Sequence, residues 1–71
     1  MKYLIRVVWR EGGEINSLAK ETVYRINAEN IFKNYSQMMH LPYIDIIRVS
    51  LYEDGHEIER RINENGSQIR N

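Results

Sequence analysis

The strongest constraint on the fold is a strict alternation of side-chain character near the start of the chain. Residues 2–11 have a more apolar side that carries Tyr3, Ile5, Val7 and Trp9. The other side mixes cations with aliphatic side chains. A period of two residues is typical of a β-strand with one covered face. The Gly12-Gly13 dipeptide that follows is able to take positive φ angles, so it predicts a tight hairpin turn after this strand.

Residues 14–26 carry two conflicting signals. An apolar stripe at helical spacing passes through Ile15, Leu18, Ala19, Thr22, Val23 and Ile26. Residues 21–26 are nevertheless dense in β-branched and aromatic side chains, which favour a pleated strand. We predict an extended second strand at residues 22–26, with a helix over residues 14–26 as the alternative. Residues 14–20 are predicted as a loop or a bulged strand, because a strict hairpin across the glycines would set Lys20 opposite Ile5 on the core side.

A helix is predicted at about residues 28–39. Asn27 is a good N-cap residue, and Glu29 in the first turn complements the helix dipole. One apolar stripe is formed by Ile31, Phe32, Tyr35, Met38 and Met39. Pro42 ends the helix, because the residue before a proline is disfavoured in the α region.

Residues 43–53 form the third predicted strand. One of its faces holds Ile47, Val49 and Leu51, and the other holds Ile44, Ile46, Arg48, Ser50 and Tyr52. Asp54-Gly55 is a strong hairpin signal, so residues 56–63 are predicted to return as a charged edge strand. Residues 64–71 have a single apolar side chain and are predicted to be a frayed tail.

These elements predict an α+β fold of ββαββ order in a single domain over residues 1–63. Placing the third strand beside the first gives a four-stranded antiparallel sheet in the order 2-1-3-4. The core is predicted to include Trp9, Ile31, Phe32, Tyr35, Ile47 and Val49. A helix of about twelve residues is roughly 18 Å long and covers only one face of such a sheet, so the other face is left open.

Catalytic, metal and cofactor chemistry is poorly supported by the sequence. The chain has no cysteine, and its two histidines, His40 and His56, have no diagnostic partner residue nearby. We interpret His40 as a residue at the helix C-terminus and His56 as a strand residue beside a turn. The acidic residues between Glu53 and Glu59 lack the spacing of a calcium loop. We therefore predict a protein that is not an enzyme and has no catalytic residue, cofactor or metal site.

The open face is the feature that suggests a function. Its predicted residues mix cations with apolar side chains, and the candidate interface is Leu4, Arg6, Val8, Arg10, Ile44, Ile46, Arg48 and Tyr52. Aliphatic side chains bordered by arginines are typical of protein contacts, so we predict a protein-binding module that acts through this face, first of all as a homodimer and otherwise with a different protein. The alternative is a nucleic-acid-binding accessory protein that uses Lys2, Arg6, Arg10 and Arg48. Against it, the formal net charge is zero, and Tyr52 is the one aromatic side chain predicted on this face.

The size and the apolar pattern of the chain give two further expectations. A chain of 71 residues buries only about 60% of its unfolded surface, and this marginal core favours a homodimer. Charged residues interrupt the first apolar segment, and no apolar run reaches the length of a signal-peptide core or a membrane span. We therefore expect a cytoplasmic protein with no membrane partner.

Overall fold

The computed structural model describes residues 1–63, and the predicted frayed tail at residues 64–71 lies outside this part of the chain. The elements are β1 (Tyr3–Glu11), β2 (Glu14–Thr22), α1 (Arg25–Met38), β3 (Asp45–Glu53) and β4 (His56–Ile62). The strands form one antiparallel sheet in the order β2-β1-β3-β4. The predicted α+β fold, its ββαββ order and its strand order are confirmed.

The β1–β2 hairpin has the register that the sequence argued against. Gly12 and Gly13 form a two-residue turn with φ angles of 60° and 83°, and Lys20 lies directly opposite Ile5. The prediction of a loop or bulge at residues 14–20 is therefore wrong. Lys20 is tolerated because β2 is at the sheet edge, where the residue stays exposed and its ammonium lies 5.8 Å from the Tyr35 ring centroid.

The helix begins about one turn earlier than predicted. Its N-cap is Tyr24, with φ −107° and ψ 121° and no side-chain capping bond, so the prediction of Asn27 as the cap is wrong. The predicted strand at residues 22–26 is wrong beyond Thr22 for the same reason. Packing overrides the capping preference here, because Ala28 on the first turns of α1 is completely buried against the sheet.

The core lies between α1 and one side of the sheet, which we call the covered face. Its buried apolar side chains are Tyr3, Ile5, Val7, Ala28, Phe32, Met39, Ile46, Val49 and Leu51. The predicted core positions Phe32 and Val49 are confirmed. Trp9, Ile31 and Tyr35 are only half-buried and pack at the margin of this cluster.

A β-bulge in β3 explains why the predicted core position Ile47 is wrong. Val8 pairs with Arg48 and Trp9 pairs with Ile46, so Ile47 is left without a partner on β1. Because of the extra residue, the side chains of β3 that precede Ile47 point to the opposite faces from those that strict alternation predicts. Ile46 therefore joins the covered face, while Ile47 lies half-buried outside the core cluster.

The start of α1 is tied to the sheet by polar contacts around Tyr3. The Tyr3 hydroxyl donates a hydrogen bond of 2.9 Å to Glu53, and the Arg25 guanidinium lies 3.9 Å from the same carboxylate. Arg25 also forms a 2.9 Å ion pair with Glu29 one turn along the helix. Desolvation by burial raises the pKa of the Tyr3 hydroxyl above its ordinary value of 10.0, and the Glu53 carboxylate raises it further.

This raised pKa predicts a loss of stability in alkali that depends on Tyr3. Because folding favours the neutral phenol, Tyr3 contributes to the free energy of unfolding. This contribution is fully present below pH 10.0 and is lost as the pH rises through the folded-state pKa. Denaturant unfolding measured across this range should show a smaller alkaline loss in Tyr3→Phe than in wild type. Tyr43→Phe is the matched control because Tyr43 is exposed, and it should follow wild type. Equal alkaline losses in all three proteins would contradict the assignment.

Candidate functional site

The candidate site is the face of the sheet opposite α1, which we call the open face. Because α1 packs on the covered face, no helix or strand within residues 1–63 packs against this side. The pairing register places these side chains on it: Leu4, Arg6, Val8, Arg10, Ile15, Ser17, Ala19, Glu21, Asp45, Arg48, Ser50, Tyr52, Glu57, Arg60 and Ile62. They come from all four strands, so the whole width of the sheet contributes to the surface.

Six of the eight predicted interface residues lie on the open face. They are Leu4, Arg6, Val8, Arg10, Arg48 and Tyr52. Ile44 and Ile46 do not lie there, and their placement in the candidate interface is wrong. The bulge at Ile47 directs Ile46 into the core, where it is 2% exposed, and Ile44 packs against the same core cluster. The predicted apolar centre of the interface is therefore smaller than the alternation alone indicated.

Arginines take the centre of the open face. Arg6 lies directly opposite Ser50 on β3, and Ser50 lies directly opposite Arg60 on β4, which sets these three residues in one row across the sheet. Arg48 is two residues from Ser50 on the same strand. Neighbouring strands are about 4.8 Å apart, so Arg6, Arg48 and Arg60 come from adjacent positions of one area of the open face.

Two of these arginines have no charge partner in the described chain. Arg10 pairs with Asp45 at 3.5 Å, and Arg60 pairs with Glu57 at 3.4 Å. Within residues 1–63, Arg6 and Arg48 form no ion pair. The buried Nε atom of Arg48 and the buried Oγ atom of Ser50 also have no hydrogen-bond partner there. A buried polar group without a partner is unfavourable, so the part of the open face around Ser50 has unmet hydrogen-bonding capacity within residues 1–63.

Apolar side chains border the arginines. Leu4, Val8 and Tyr52 are half-buried between their neighbours on the open face. Ile15 on one edge strand and Ile62 on the other are 60% and 53% exposed. The open face therefore combines a central cationic area with an apolar border, which is the reverse of the apolar centre and arginine margin that the sequence predicted.

A polar groove separates α1 from β4 on the covered face. It has a volume of about 460 Å³, and Phe32, Ser36, His40, Glu59 and Arg61 are among its lining residues. His40 thus lies at the helix end, as interpreted from the sequence. It also lies beside residues of β4, which the sequence did not predict. The Ser36 hydroxyl is buried without a partner in the described chain. His56 is exposed at the start of β4.

One exposed apolar segment was missed by the sequence reasoning. Val23, Tyr24 and Ile26 are 61–69% exposed between β2 and the first turn of α1. Their β-branched and aromatic character suggested a buried strand. The length of β1 was the available signal. Because β1 has nine residues and pairs with β2 directly across the two glycines, its first residue lies opposite Thr22, and no residue of β1 remains to pair with residues 23–26.

No protein-family model, curated protein or solved structure matches this chain. The function must therefore be inferred from the geometry of its own surfaces. Within residues 1–63, no set of three or more His, Asp or Glu side chains is arranged to hold a metal ion. The helix of this described part, α1, is too short and too polar to cross a membrane.

Proposed function

We propose that this domain is a non-enzymatic protein-binding module whose open face binds an acidic surface of a partner protein. The observation that carries the proposal is the arginine area around Ser50. In it, Arg6 and Arg48 have no ion pair, and two buried polar atoms have no partner, within residues 1–63.

Carboxylates are the groups that best complete this area. An arginine guanidinium presents several donors in a rigid plane and binds a carboxylate through two parallel hydrogen bonds. Arg6 lies directly opposite Ser50, and Arg48 is two residues from it, so we infer that one acidic side chain of a partner contacts both arginines. The apolar side chains around them exclude water from such a contact, and hydrogen bonds to charged groups are stronger where water is excluded.

Charge makes a foreign partner a better occupant of the open face than a second copy of this chain. Two copies docked face to face about a twofold axis at the centre of the sheet would bring the areas around Arg6, Arg48 and Arg60 together. Like charges placed opposite one another oppose association by several kcal/mol, on the order found at mismatched interfaces. We therefore assign the open face to an acidic protein and not to self-association.

A nucleic acid fits the open face less well. Phosphates would satisfy the arginines, but single-stranded binding surfaces also need aromatic platforms for base stacking. Among the described residues, Tyr52 is the one aromatic side chain on this face, and it is half-buried.

Affinity capture with matched charge reversals tests this proposal. The tagged wild type, Arg6→Glu and Lys33→Glu would be exposed to nuclease-treated lysate of the native host. Lys33 lies on α1 beside the polar groove, so its variant makes the same charge change away from the open face. We expect a specific protein to be retained by wild type and by Lys33→Glu, and to fall by about tenfold or more with Arg6→Glu.

Two results would contradict the proposal. One is capture that is lost with Lys33→Glu and kept with Arg6→Glu, which would move the binding site to the groove. The other is retention of RNA or DNA by the wild type from a parallel lysate without nuclease, with an affinity that falls steeply as salt rises. A steep linear dependence of log affinity on log salt indicates phosphate contacts. Thermal melting of each variant confirms that the comparison is between folded proteins.

A further inference from the structure

A second binding surface lies along the outer edge of β2. This strand is nine residues long, regular in its pairing with β1, and last in the described sheet. Both loop glycines have positive φ, as in a type I′ turn, so the ladder is closed by hydrogen bonds between Glu11 and Glu14. Hydrogen-bonded pairs alternate along an antiparallel ladder. The backbone groups of Ile15, Ser17, Ala19 and Glu21 therefore point away from β1.

The side chains of β2 are complementary to those of a second β2 in antiparallel orientation. When Ser17 lies opposite Ser17 of the partner subunit, Glu14 lies opposite the partner subunit's Lys20, and the twofold axis repeats this ion pair. In the same register, Ile15 lies opposite the partner subunit's Ala19. Ile15 is 60% exposed in the single chain and is covered by this pairing.

The alternation of outward and inward backbone groups along β2 agrees with this register. Residues with outward backbone groups meet one another, so Ile15, Ser17 and Ala19 form the hydrogen-bonded pairs. Glu14 and Lys20 then fall at the non-hydrogen-bonded positions, where Cα atoms are about 4.5 Å apart and side chains approach most closely.

The next allowed register is less complementary. Placing Leu18 on the twofold axis sets Ile15 opposite Glu21 and leaves Lys20 opposite Asn16, so both ion pairs are lost. Placing Asn16 on the axis sets Glu14 opposite Leu18 and Lys20 opposite Gly12, which also loses both ion pairs. Charge complementarity within β2 therefore selects the register centred on Ser17.

From these features we propose that two copies of this chain associate through their β2 edges into a continuous eight-stranded antiparallel sheet centred on Ser17. The twofold axis is perpendicular to the sheet, so the two helices lie on one side and the two open faces on the other. The open faces remain uncovered, and this dimer does not depend on the partner protein proposed above.

Charge reversal within β2 tests the register. Replacing one member of the ion pair turns two attractions into two repulsions, so Glu14→Lys and Lys20→Glu should each raise the dimer dissociation constant by about tenfold or more. The double variant restores both pairs with exchanged signs and should return to within about threefold of wild type. Sedimentation equilibrium from about 10 μM to about 1 mM measures these constants.

A backbone variant tests the edge independently of charge. Ser17→Pro removes an outward N–H and leaves the hydrogen bonds to β1 in place, as proline is tolerated on edge strands. It should abolish the dimer, while Ser17→Thr, which keeps the N–H, should not. Thermal melting separates lost association from lost folding.

Two outcomes would overturn the proposal. The first is a wild-type chain that sediments as a monomer throughout this concentration range. The second is a dimer that withstands Ser17→Pro and both charge reversals, or that dissociates on Val8→Glu, since Val8 lies on β1 within the open face. Loss of partner capture alone leaves the edge dimer in place, so the two proposals fail separately.

Discussion

Ile46→Glu is expected to unfold the domain, and Val8→Glu is expected to leave it folded. Ile46 is 2% exposed and lies between α1 and β1, with no cation in the core cluster to pair with a new carboxylate. An unpaired charge at such a position costs on the order of 4 kcal/mol or more. At about 0.05–0.15 kcal/mol per residue, a chain of this length has a total stability of roughly 4–10 kcal/mol.

Val8→Glu is the matched control for this substitution. Val8 is half-buried on the open face directly opposite Arg48, so a carboxylate there gains a cross-strand cation. Its free energy of unfolding should remain within about 1 kcal/mol of wild type. Urea unfolding followed by circular dichroism measures both variants. A folded Ile46→Glu together with an unfolded Val8→Glu would show that α1 covers the other face of the sheet.

Phe32→Ala should lower the free energy of unfolding by about 3 to 5 kcal/mol. Phe32 is 4% exposed, and its ring anchors α1 to the sheet. Truncation removes the apolar contacts and leaves a cavity that the short helix cannot fill. The same urea experiment measures this free energy. A loss of this size should also lower the melting temperature of Phe32→Ala well below that of wild type.

Ile26→Ala is the control on the same helix. Ile26 is 69% exposed, so its truncation removes few contacts and should change the free energy of unfolding by no more than about 0.5 kcal/mol. Equal and small effects of both substitutions would mean that Phe32 is not the anchor of the helix.

The topology was predictable because each of its main signals is local. Alternation in residues 2–11 and the Asp54-Gly55 turn act through neighbouring residues, and both are present as predicted. The central position of β1 and β3 followed from their apolar content. These signals survive in the fold because tertiary packing reinforces them.

The errors concern residues whose position depends on distant contacts. An alternating pattern does not reveal where a bulge inserts a residue, so Ile46 was placed on the wrong face. Lys20 is compatible with the hairpin because its side chain contacts Tyr35, which is 15 residues away in sequence and is not visible in the local pattern. Burial of Ala28 set the helix start against the capping preference of Asn27.

The candidate site was affected by the same limits. Arg6, Arg10 and Arg48 were assigned to the open face from alternation within single strands, and the structure places them there. Arg60 was not assigned to the open face, because its position beside Ser50 depends on how β4 pairs with β3. That pairing has an irregularity between Leu51 and Tyr52. The central arginine area therefore depends on the pairing of three strands, β1, β3 and β4.

The most direct test of the binding role of the open face is amide and arginine side-chain NMR of the labelled domain with its captured acidic partner. We predict that the Nε–H signals of Arg6 and Arg48 and the amides around Val8 and Ser50 shift or broaden, while those of the exposed side of α1 do not. Signals that change along the α1–β4 groove, around Lys33 and His40, with the arginine signals unchanged, would contradict the assignment of the open face as the binding surface.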